Sequence, residues 1–181
     1  NLKGFVDSVK ANGGYYIARY EASYGTDGKA NSKVSNTYAT STPNKEGQLW
    51  NCITQIDAAT ASRNLYNTVN SDLINSYAWD TAIVYIQNFS GDTDYSKQDS
   101  LNKSLANTGV NSDEKCKIND MASNIVEWTT EYCTGTGSSY ASPSTSRGGI
   151  YNTSSFCTDI RSYNPATNSG SIISFRYALY M

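Results

Sequence analysis

Residues 120–128 read DMASNIVEW. Met121, Ile125 and Trp128 are side chains of the kind that fill cores. Glu127 stands between Val126 and Trp128. It therefore reads as a buried carboxylate, and a buried charge needs a partner. Backbone N–H groups, an arginine or a metal ion would each serve. The stretch is either the remnant of a catalytic centre or framework used for something else.

The rest of the chain narrows that choice. There are 181 residues, enough for one domain with a proper core, and we take 1–181 as a single domain. Charged residues make up 17% and hydrophobic ones 38%, both low for a globular protein. Asn, Ser, Thr, Gly and 15 tyrosines fill the gap, as in many extracellular or virion proteins. A net charge of −2 gives no basic footprint for nucleic acid. No apolar run of about 18 residues exists to insert into a membrane. The chain starts at Asn1, as an excised or processed piece would. It contains no histidine, which removes Ser-His-Asp and Cys-His catalysis and histidine-bound metals. Cys52, Cys116, Cys133 and Cys157 show no metal-ligand spacing, and both disulfides and buried thiols suit them.

Periodicity predicts an α+β domain. Gly13 to Ser23 alternates like a strand, and Tyr24 to Gly47 reads as a loop. Asn51 to Tyr66 has helical spacing, with Thr54 or Asn51 as cap. Ser76 to Phe89 is the strongest helix, placing Trp79, Ala82, Ile83, Ile86 and Phe89 on one face. A polar insertion spans about 90–117. Ile172 to Tyr180 reads as a closing aromatic strand that pairs with the opening one.

Five segments occur in a telling order: RYEAS (Arg19 to Ser23), AWD (Ala78 to Asp80), DMASNIVEW, RGG (Arg147 to Gly149) and SFR (Ser174 to Arg176). Together they resemble the formylglycine-generating-enzyme (sulfatase-modifying) type of C-type-lectin fold. The resemblance spans nearly the whole chain. It implies two helices with paired terminal strands. It also implies that Arg147 ties loops together and that Gly148 and Gly149 supply backbone forbidden to other residues. The oxidising enzymes of this family need a cysteine pair just after RGG, and only Cys157 stands there. Calcium-binding members suggest a possible site from Asp120 and Glu127 with carbonyls near Ser123 and Ile125, and oxygen-only ligands suit Ca²⁺. No cofactor is required otherwise. The Glu-Pro-Asn and Gln-Pro-Asp motifs of sugar-binding C-type lectins have no counterpart. The run Asp92 to Lys103 lacks the glycine and the final glutamate of a calcium loop.

The last third adds a compositional signal. Thr134 to Tyr180 contains no Lys, Glu, Gln, Met or Trp. The first 133 residues contain 22 of these, so about eight would be expected in the last stretch. None of the five can be reached from an AAC or AAT codon by changing adenines alone. Adenine-directed error is the mark of a diversity-generating retroelement, whose variable proteins this chain resembles. Their hypervariable stretch lies between the RGG-like and closing segments, here about 147–176. Rigid Tyr with adaptable Ser, Gly and Asn also suits a binding surface physically.

The displayed candidates are Ile150, Tyr151, Asn152, Ser154, Phe156, Thr158, Asp159, Ser162, Tyr163 and Asn164. Phe156 and Ile160 also suit core packing, and Arg161 suits a structural role. The expected function is a non-catalytic, receptor-binding domain for a protein or cell-surface ligand, on a virion or bacterial surface. A fixed adhesin module and, less strongly, a formylglycine-generating-type oxidoreductase are the alternatives.

Overall fold

The computed structural model describes residues 2–40, 44–98, 104–110, 113–133, 143–151, 153 and 156–181. The elements run α1 (Leu2–Asn12), β1 (Tyr16–Ile17), β2 (Ser23–Tyr24), β3 (Ala30–Asn31), β4 (Thr37–Tyr38), β5 (Gln48–Leu49), α2 (Gln55–Arg63), β6 (Asn70–Leu73) and α3 (Ser76–Phe89). A 3₁₀ turn (Tyr95–Lys97) follows, then β7 (Glu114–Lys115), β8 (Ile118–Asn119), β9 (Val126–Tyr132), β10 (Ser144–Arg147), β11 (Arg161–Asn164), β12 (Ile173–Phe175) and β13 (Tyr177–Tyr180).

The chain ends do pair. β13 lies between β1 and β6, with Tyr16 opposite Leu179 and Tyr177 opposite Leu73. A second sheet has the order β11-β10-β9-β12, in which β12 runs parallel to β9. The single closing strand expected from Ile172 to Tyr180 is therefore two, belonging to different sheets. Arg176 is the joint between them.

Both central helices start on side-chain caps. Thr54 accepts from the Asp57 N–H, and Asn75 accepts from the Ala78 N–H. Asn51, the other cap candidate, is instead buried and bridges Ala39 to the Ser171 carbonyl. Trp79, Ala82, Ile83 and Ile86 of α3 are buried as expected, but Phe89 is 70% exposed and its ring lies tilted against that of Tyr85. A third helix, α1, was not legible because Ser8 is its only buried residue. The stretch 24–47, expected as loop, contributes two-residue strands to a small sheet ordered β3-β2-β5-β4. Pairs that short carry no alternation to read.

The motif 120–128 joins two cores. Met121 and Ala122 pack with Trp79, Ile83 and Tyr95 under α3. Val126 and Trp128 pack with Leu73, Ile173 and Phe175 against α2. The segment read as a polar insertion is rooted in this structure, since Tyr95 and Asp113 are fully buried.

Candidate ligand-binding face and its support

The motifs meet in space as two ionic ties. In the first, Arg176 donates from Nε and Nη2 to the Glu127 carboxylate at 2.8 and 2.6 Å, and neither side chain is exposed. The remaining guanidinium N–H groups reach the Ala18 and Asn119 carbonyls. Of the three partners open to Glu127, the structure provides the arginine. In the second tie, buried Arg147 donates to Asp80 at 2.5 Å and to the Ile160 and Asp159 carbonyls. Arg161 reaches the other Asp80 oxygen at 2.8 Å and Glu131 at 3.2 Å. Arg161 is thus structural, and RGG is fastened to α3 through AWD.

The glycines after Arg147 are required by geometry. Gly148 has φ +93°, and a Cβ on Gly149 would lie 2.2 Å from the Ala122 carbonyl oxygen. Further polar pins surround the motif. Asp113 accepts from Tyr95 Oη, the Ala122 N–H and Ser123 Oγ. Burial raises its carboxyl to about 6. Glu21, from RYEAS, accepts from Asn124 at 2.5 Å. Burial, then the nearby Asp120 and Glu127 carboxylates, pushes Glu21 well above the usual carboxylate range.

The displayed candidates divide. Tyr163 and Asp159 are exposed, while Tyr151, Phe156, Ser162 and Asn164 are half-buried. Tyr151 and Phe156 rest by one side on the core that holds Trp128 and Phe175, so both readings of Phe156 hold in part. Ser162, Tyr163 and Asn164 lie on β11, one of the two outer strands of its sheet among the described residues. Two candidates are corrected. Ile150 is 4% exposed and sits in the core beside Trp128, because the turn fixed by Gly148 and Gly149 folds it inward. Thr158 is fully buried, since its backbone and hydroxyl bond to Gln98 and its carbonyl accepts from Trp79 Nε1. Asn152 and Ser154 lie outside the described residues. The sequence reading gave no role to Asp80, Glu131 or Glu21. The signal for Asp80 and Glu21 was their place inside quoted motifs.

The proposed calcium set does not fit. Both Glu127 oxygens face the Arg176 guanidinium, which would repel a dication. Asp120 Oδ2 already accepts from Thr108 and the Gly109 N–H. Ser123 and Ile125 are buried in the same framework. Among the described residues no group of three or more His, Cys, Asp or Glu side chains could hold a metal. Cys52, Cys116 and Cys133 are free thiols. No helix among the described residues is long and apolar enough to cross a membrane.

Paired termini, two capped helices and two ionic ties, the Arg176–Glu127 one fully buried, define an α+β domain of the C-type-lectin fold. Among solved structures, it is similar to the Major Tropism Determinant P3c variant, with 16% identity, 94% of this chain and 52% of that one covered, and a TM-score of 0.58. The Major Tropism Determinant I1 variant matches at 15% identity over 92% of this chain and 51% of that one, with a TM-score of 0.57. The chain therefore spans about half the length of the structures it matches. No family model matches the sequence, and no curated protein does.

Proposed function

We propose that this domain binds a receptor through a changeable surface drawn from 147–176, held on a fixed scaffold, with no catalytic step. The observation that supports it most is a division of labour within that segment. Arg147, Gly148, Gly149, Ile150, Thr158 and Arg176 are buried and locked to the frame. Tyr151, Phe156, Asp159, Ser162, Tyr163 and Asn164 keep exposed surface. The second set joins tyrosine and phenylalanine anchors to short polar neighbours, which is the composition of an adaptable paratope. The missing Lys, Glu, Gln, Met and Trp favour adenine-directed diversification over a fixed adhesin. The similar structures are named as tropism determinants, which agrees with selection of a target. A virion or bacterial surface, with a protein or cell-surface ligand, is the setting this function suits.

Two display libraries test this reading. One randomises the six surface-bearing positions, and the other randomises six locked ones. The expected result is that most members of the first resist protease as the parent does, and most of the second do not. Equal loss of folded members in both libraries would contradict the proposal.

A further inference from the structure

A second surface lies away from this segment. A groove of about 450 Å³ runs between β1, α3 and the β7–β8 hairpin, and no residue of 147–176 lines it. Tyr16 and Tyr85 stand on its walls with 58% and 49% of their surface exposed. Ile17 and Ile118 form apolar floor.

The edge of β1 is open toward this groove. The Ala18 N–H donates to Tyr177 across the ladder at 3.0 Å. In an antiparallel pair, alternate residues turn their backbone groups to the same side. The N–H and C=O of Ile17 therefore point away from β13. Arg19, of the same parity, confirms the direction, since its carbonyl accepts from the Asn119 N–H at 2.8 Å. β8 thus covers the β1 edge at Arg19 and leaves it at Ile17.

The rim is positive. Arg19 and Lys117 both reach Glu114, at 2.8 and 3.1 Å, so two cations share one carboxylate. Neighbouring Lys115 is already matched by Asp92. The hairpin turn holding the rim is itself strained. Cys116 and Lys117 have φ of 51° and 66°, the conformation in which two-residue hairpins favour Asn-Gly. Non-glycine residues kept there are a cost that often accompanies function.

We propose that this groove docks an extended apolar segment of a second polypeptide, carrying an acidic residue, by strand addition to β1. Main-chain bonds to Ile17 would supply register, Tyr16 and Tyr85 apolar contact, and the Arg19–Lys117 rim the preference for an acid. This would attach the domain to a partner while leaving the other face exposed. It does not depend on the receptor-binding reading.

The probe is a blocked, fluorescein-labelled peptide alternating Val and Thr with one Asp, against a control carrying Lys instead. The expected result is saturable binding of the Asp peptide, at least tenfold weaker binding of the control, and slowed hydrogen exchange at the Ile17 amide. Ile17→Pro removes an N–H that points off the sheet, which an edge strand tolerates, and should abolish binding in a folded protein. Lys117→Glu changes an exposed side chain and should remove the preference for Asp, so the test stands even if the proline variant fails to fold. Failure of the Asp peptide to saturate, equal binding of both peptides, or binding unchanged by Lys117→Glu would overturn the proposal.

Discussion

Arg176 shows how one side chain can hold several segments together. Its guanidinium is fully buried and bonds to the motif at 127, the opening segment at 18 and β8 at 119. Removing one partner of a buried ion pair strands the other charge and costs about 3–5 kcal/mol. Arg176→Met should therefore lower unfolding free energy by about that amount in urea titration. Asp113 supplies a second test at this scale. Its folded pKa is raised from an ordinary 3.8 to about 6, so folding favours its protonated form. The stability it contributes is full below about pH 4 and is lost as pH rises through 6, roughly 3 kcal/mol in all. The urea midpoint should therefore fall from pH 4.5 to pH 7 more steeply in the native protein than in Asp113→Asn. Glu21 titrates in the same sense and leaves a residual slope in the variant. Parallel slopes would show that Asp113 is not the source. From the sequence, Glu127 was legible as a buried charge but its partner was not. Residues 127 and 176 are far apart in the chain, and only the folded β9–β12 pairing brings them together.

At the scale of elements, α3 was readable because four of its apolar side chains recur at helical spacing and are buried. Its cap, Asn75, also bonds Tyr180. Asn75→Ala should cost about 1–2 kcal/mol in thermal or chemical unfolding, through the lost cap and the stranded hydroxyl. α1 was not readable, because only Ser8 of it is buried and most of its anchors lie at the far end of the chain: Phe5 against Tyr180 as well as Tyr15, and Asn12 to the Met181 carbonyl. The β7–β8 turn makes an opposite prediction. Replacing Cys116 and Lys117 together by Asn and Gly relieves two positive-φ residues and should stabilise the protein by about 1 kcal/mol. An unchanged or lower melting temperature would mean that the turn carries no such strain.

At the scale of the whole molecule, the proposed function assigns the buried polar ties to a fixed frame and the exposed positions of 147–176 to a changeable surface. The frame's carboxylates are engaged by arginines, by neutral side chains such as Asn124 and Tyr95, and by backbone, so a chelator should leave the melting temperature unchanged, whereas a native-state metal would raise it. The order of five motifs made the fold legible because those motifs are in contact with one another. The surface was less legible, and for a physical reason. Ile150 and Thr158 sit among displayed residues in sequence, yet a glycine turn and the contact with Gln98 fold both inward. Composition marks a segment as variable but cannot say which side chains face out.

The measurement that reaches the central claim most directly is the sequence of the encoding locus. A near-identical untranslated copy of the stretch for about Gly148 to Arg176 is expected beside a reverse transcriptase gene. Its mismatches should fall at adenines and at codons for surface-bearing positions such as Tyr151, Asp159 and Tyr163, sparing Gly148, Gly149 and Arg176. A locus with no such copy, or with mismatches spread evenly over locked and exposed positions, would contradict the account and leave a fixed binding module.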